Sequence, residues 1–77
     1  MGELTEIEQV VIENVKKMRN ERNMTQLELS QRIGRDDSFV SHVEQKSRRT
    51  KYNLIHLNEI AKVLACSLWD FIPKDPI

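Results

Sequence analysis

Apolar positions recur along this chain at the three- and four-residue spacing of helices, and no segment alternates long enough to read as a strand. Ile7, Val10, Val11, Val15 and Met18 share one helical face, which predicts an amphipathic helix from about residue 6 to 22 with Thr5 as its cap. Asn23 tolerates the left-handed backbone that stops it. Thr25 followed three residues later by Glu28 has capping-box spacing and predicts a second, short helix whose inward face is Leu29 and Ile33. Gly34 then turns the chain. A third helix is predicted from about Asp37 to Gln45, burying Val40 and Val43. Asp36 precedes it at the cap position, where a carboxylate accepts free N–H groups and meets the positive end of the helix dipole. Residues 46–52 lack apolar periodicity and read as a loop. Asn53 caps a fourth helix marked by Leu54, Leu57, Ile60, Ala61 and Leu64; Ser67 caps a last one, Leu68 to Ile72, which Pro73 ends. Five short helices without strands predict a compact all-α fold.

A length of 77 residues leaves room for one domain, 1–77, with a small core. No 18-residue apolar run and no basic, apolar leader is present, so neither a membrane span nor a secretory signal is expected, and a cytoplasmic location is. The lone Cys66 forms no internal disulfide and supports no zinc cluster; it reads as a small buried core side chain. Two histidines, one cysteine and scattered carboxylates offer no nucleophile–base or metal spacing. Neither an enzyme nor a metal or cofactor is expected.

The net charge of zero conceals blocks of opposite sign. Glu3, Glu6, Glu8 and Glu13 make residues 1–15 acidic, whereas residues 16–35 are basic. Asp36, Asp37 and Glu44 make the next block acidic, and Lys46, Arg48, Arg49 and Lys51 then follow without any acid. A phosphate responds to the local patch rather than to the total.

The segment TQLELSQRIGRDDSFVSHVEQ joins a capped short helix, a glycine turn and a second short helix, with small Ser30 where the two must cross closely. This is the pattern of a helix-turn-helix, whose second helix lies in the DNA major groove; its core spans about 25–45. Together with MRNERN before it and LNEIAKVLACSLWDFI after it, the segment resembles the Cro/phage-repressor-like (XRE) family of helix-turn-helix DNA-binding domains over roughly residues 15–72. The positions that carry the resemblance are Met18-Arg19, Thr25-Gln26, Leu29-Ser30, Gly34, Val40-Ser41, Glu44-Gln45-Lys46 and Ala61 to Ser67.

The resemblance implies a five-helix lambda-repressor-like domain that binds double-stranded DNA in a sequence-specific way as a transcriptional regulator, a repressor in the first instance. It implies that Arg19 and Glu44 form a structural ion pair and that Gln26 contacts the DNA backbone, for which a side-chain amide is chemically suited. It places Asp37, Ser38 and His42 outward on the recognition helix, and helical spacing puts Ser41 on the same surface. Serine and histidine are adaptable base readers; an aspartate has one favourable base contact, the cytosine amino group. Arg35 stands where the family has an apolar residue, and two uses are open to it: neutralising Asp36 or Asp37, or reaching a phosphate. Lys46, Arg48, Arg49 and Lys51, in the loop 46–52, are expected on phosphates, although Lys46 replaces the family's usual glycine and the loop is about two residues longer. Trp69 and Phe71, in the C-terminal stretch 67–77, are read either as packing or as the contact of a homodimer. The competing reading is a protein-binding adaptor or antitoxin-like partner with weak DNA contact, and the clustered cations argue against it.

Overall fold

Among the described residues, reciprocal hydrogen bonds from side chains open every helical segment but one. The computed structural model describes residues 3–77. Its elements are α1 (Glu6–Glu21), α2 (Gln26–Arg32), α3 (Phe39–Glu44), α4 (Leu54–Leu64) and a 3₁₀ turn, Leu68–Asp70. Thr5 with Glu8, Thr25 with Glu28, Asn53 with His56 and Ser67 with Asp70 each close a capping box. In each, two N–H groups that the helix cannot satisfy internally find an acceptor.

The exception is α3. Its N-cap residue, Ser38, makes no side-chain cap bond. The service comes from the neighbouring helix: Ser30 of α2, completely buried, accepts the Val40 N–H at 3.0 Å and donates to the Gln26 carbonyl at 2.9 Å. The small side chain expected for close packing at this crossing is thus also the cap of the next helix.

Packing follows the apolar stripes. Val15 of α1, Leu29 of α2, Val40 of α3, Ile60 of α4 and Phe71 after the 3₁₀ turn are completely buried together. α3 packs on α1 and α2, α4 on α2, and the 3₁₀ turn on α4. Two polar ties close the far side: Asn14 Nδ2 donates to the Phe71 carbonyl at 2.9 Å, and the Arg22 guanidinium donates to the Leu64 carbonyl at the end of α4. Asn23 (φ 52°) and Gly34 (φ 72°) take the left-handed backbone at the two turns. Ala65 does the same after α4 at φ 52°, a conformation that costs an alanine about 1 kcal/mol.

The structure departs from the sequence reading in several places. α3 begins at Phe39, not Asp37, and ends at Glu44. Asp36 is not its carboxylate cap, because the Asp36 carbonyl accepts the Phe39 N–H at 2.9 Å in a tight turn that sets the helix start later. The expected fifth helix is only the 3₁₀ turn: Asp70 folds back to accept the Ser67 N–H, and Pro73 denies a further turn. Ile7 is 38% exposed and Ile12 takes the buried place on α1. Cys66 is half-buried at the core margin rather than inside it, and burial raises its thiol pKa. No described helix is long and apolar enough to cross a membrane.

Ser30→Ala leaves the buried Val40 N–H without an acceptor, and a loss of about 1 to 3 kcal/mol is expected in urea unfolding; exposed Ser47→Ala serves as the control, within about 0.5 kcal/mol of the parent. The α4 cap makes stability pH-dependent. His56 Nδ1 accepts the Asn53 N–H at 3.0 Å, which requires an unprotonated nitrogen. Burial, followed by the charge of Arg35, lowers the His56 pKa from the ordinary 6.5. The unfolded chain therefore takes up this proton at a higher pH than the folded one. The contribution is fully present above 6.5 and is lost as pH falls through that value toward the lower folded pKa. His56→Gln keeps an acceptor in the capping box and is expected to flatten the fall in thermal midpoint between about pH 7.5 and 5.5, followed by circular dichroism.

Candidate nucleic-acid interface

Three segments meet at one carboxylate. Arg19 of α1 donates through Nε to Glu44 Oε2 at 2.9 Å and through its Nη2 to Oε1 at 2.8 Å. Its remaining terminal nitrogen donates to the Met24 carbonyl at 2.8 Å, in the turn between α1 and α2. Gln26, first residue of α2, donates its side-chain amide to the same Oε1 at 2.9 Å. The two ionic side chains are 8% and 3% exposed, so the pair is dry and planar, the geometry in which an arginine fork suits a carboxylate. Gln26, half-buried, is held in place by Glu44 and keeps one further amide N–H for a ligand.

Outward from this centre lie the start of α3 and the turn before it. Ser38 is exposed and its carbonyl accepts the Ser41 hydroxyl at 2.8 Å; Ser41 is half-buried. His42 is half-buried and its ring has no hydrogen bond among the described residues. Asp37 is exposed, and its Oδ1 accepts from Gln31 Nε2 of α2 at 3.2 Å. Arg35 is exposed and forms no ion pair with Asp36 or Asp37 among the described residues. Its charge is felt instead at His56, at the start of α4.

The basic loop is anchored by aromatic rings. Tyr52 at its end is buried, 5.9 Å from the Phe39 ring, while His56 lies 4.7 Å from Phe39 and 6.3 Å from Tyr52. The start of α3, the end of the loop and the start of α4 are thereby fixed together. The loop cations are not equivalent. Lys46 and Arg49 are exposed and, with Ser47, line a cavity of about 350 Å³ against the beginning of α1. Arg48 donates from Nε to Gln45 Oε1 at 3.0 Å. Lys51 is turned away to α1, where its Nζ lies 2.7 Å from Glu8 Oε2. The ammonium, followed by the Thr5 N–H, holds the Glu8 carboxyl down to about 2.

At the C-terminal end Trp69 and Phe71 do not form one surface. Trp69 is 76% exposed, whereas Phe71 is completely buried and belongs to the core, since the 3₁₀ turn points successive aromatic rings to opposite sides. No group of three or more His, Cys, Asp or Glu side chains able to hold a metal occurs among the described residues. The residues that sequence reasoning missed are the uncharged or acidic partners: Gln31 on Asp37, Gln45 on Arg48, and Glu8 on Lys51. Only Gln45 and Arg48, three apart, carried a local spacing signal.

A helix-turn-helix family model matches residues 15–68. Among solved structures, the chain is similar to a hypothetical transcription factor, NHTF, from Neisseria, with a TM-score of 0.77 and 25% identity, covering 88% of this chain and 76% of that one. No curated protein matches.

Removing the central carboxylate tests the frame of the interface. Glu44→Ala leaves the Arg19 charge buried and unpaired and releases Gln26, and is expected to cost about 3 to 5 kcal/mol in chemical unfolding. A loss below about 1 kcal/mol would mean that the pair is solvated in solution.

Proposed function

The chain belongs to the Cro/phage-repressor-like (XRE) helix-turn-helix family, and from that premise we propose that it is a sequence-specific, double-stranded-DNA-binding regulator of transcription, acting without catalysis by occupying its site. In this reading α3 lies in the major groove, with Asp37, Ser38, Ser41 and His42 toward base edges. Gln26, Arg35, Lys46, Arg48 and Arg49 meet phosphates on either side of it. Where its site overlaps a promoter, occupancy blocks the transcription machinery, and repression is the direction we propose, in the cytoplasm.

The observation that carries the reading is the fixed relation between α3 and the cationic loop. Phe39 begins the helix, Tyr52 ends the loop, and their rings are in edge contact at 5.9 Å. A base reader and a phosphate clamp held at constant spacing is what register on a duplex requires. The exposed Trp69 supports a homodimer, as a large aromatic ring open to solvent is the residue type that interface centres favour. Two copies would read half-sites about one helical turn, ~34 Å, apart.

Anisotropy of a labelled random-sequence duplex pool, titrated at low and physiological salt, is the direct test. Binding is expected to fall steeply with salt, each phosphate contact adding about 0.9 to the log–log slope. Lys46→Ala and Arg48→Ala are each expected to lower that slope by about 0.9, whereas Lys51→Ala changes it little, because its ammonium is already paired; Glu8→Gln releases Lys51 and steepens it by a similar amount. Selection from the pool is then expected to yield a sequence bound at least ~10³-fold more tightly than the pool. A pool left unbound at low salt would turn the reading to the protein-binding adaptor.

A further inference from the structure

Gln31 and Asp37 face each other across the turn between α2 and α3, joined by the 3.2 Å bond from Gln31 Nε2 to Asp37 Oδ1. Both side chains are exposed. The bond has no evident use in folding. Asp37 does not cap α3, whose N-terminal N–H at Val40 is served by Ser30. Arg35, two residues away, leaves Asp37 without an ion pair among the described residues. An exposed amide–carboxylate bond contributes little to stability.

What the bond does change is direction. A free aspartate at the tip of a turn samples several rotamers, and before a phosphate backbone it turns away. With Oδ1 engaged by an uncharged donor, the carboxylate keeps its charge while the bond biases its orientation, and Oδ2 is the acceptor left over. Base edges in the major groove differ in what they offer such an acceptor. Cytosine presents an amino group; guanine presents N7 and O6 and thymine O4, all of which repel it; adenine presents an amino group beside an acceptor. We infer that Gln31 is a specificity-determining positioning residue, holding Asp37 so that its free oxygen selects a cytosine amino group. The inference rests on the DNA-reading function proposed above and adds to it a residue of α2 that touches no base. Gln31 acts through Asp37, and the two form one reading unit.

The test begins with the duplex that the wild-type protein selects. Each base pair of that duplex is replaced in turn, and affinities are measured by anisotropy for wild type, Gln31→Leu, Asp37→Ala and the double variant. For wild type, replacing one particular C·G pair is expected to weaken binding by about tenfold. Gln31→Leu is expected to reduce that preference to less than about threefold at this pair alone, with the other positions and the random-pool affinity unchanged. In the Asp37→Ala background, Gln31→Leu is expected to have no further effect. Gln31→Glu, which sets a second carboxylate against Asp37, is expected to lose the same preference. If Gln31→Leu retains the preference that Asp37→Ala abolishes, Asp37 reads alone and the inference is overturned. A uniform loss at every position would likewise overturn it, since that is the mark of a structural role. Failure of the wild type to select any sequence would overturn the DNA-reading function itself, and this inference with it.

Discussion

The Glu44 carboxylate, buried at the end of α3 and sharing its two oxygens among Arg19 and Gln26, is the constraint on which the arrangement of the first three helices depends. Burying an ion pair is costly, and the cost is recovered only when geometry is good and the remaining donors are satisfied. Here they are: the guanidinium nitrogen not used on Glu44 finds the Met24 carbonyl. Because every bond is needed, a shift of any one segment strands a charge. The α1–α2 turn, the start of α2 and the end of α3 are therefore held in one register. Apolar contacts alone would not fix that register, since interchangeable aliphatic surfaces tolerate sliding.

α3 is six residues long, too short to be stable on its own propensity. Both of its ends are held from outside. Glu44 secures the last turn, and Ser30 accepts the Val40 N–H in the first. Ser30 itself donates to the Gln26 carbonyl, and Gln26 donates to Glu44, so the two fixings run through one residue at the start of α2. The proposed recognition helix is in this sense a part of α2's hydrogen-bond network more than an independent element.

That dependence explains what the sequence disclosed and what it withheld. The N-cap residues Thr5, Thr25, Asn53 and Ser67 were legible from the sequence because caps are local, and for Thr25 so was the partner Glu28 three residues on; the reciprocal partners Glu8, His56 and Asp70 are seen only in the structure. The start of α3 was misplaced because its cap lies ten residues back in another helix, and an aspartate at the expected cap position looked sufficient. The pairing of Arg19 with Glu44, 25 residues apart, has no periodic signature; it was reached through family resemblance and not from the residues. Trp69 and Phe71 illustrate a different limit. Composition marks both as apolar, but a helix and a 3₁₀ turn send them in different directions, and only the folded chain separates an exposed ring from a core one. The partners of the loop cations were withheld for the same reason: Glu8 and Lys51 meet only because the folded loop returns to the start of α1.

The loop also accounts for the neutral net charge. An acidic beginning of α1 beside a basic loop reads, from composition alone, as cancellation. In the structure the cancellation is selective: Glu8 takes Lys51, while Lys46 remains exposed and Arg48 is steadied by an amide rather than by an acid. Tyr52 holds the end of this loop in the core at some expense, since its hydroxyl is buried with no hydrogen-bond partner among the described residues; burial, followed by the charge of Glu44, opposes its ionisation. The ring's contacts with Phe39 and His56 must outweigh that expense. A phenylalanine would pack as well without it, so packing by itself does not explain the hydroxyl, whereas the ring's position explains why the cations stay beside α3. Lys51 is paired with Glu8 while Lys46 and Arg48 stay exposed, so a chain whose charges sum to zero still presents cations in this loop.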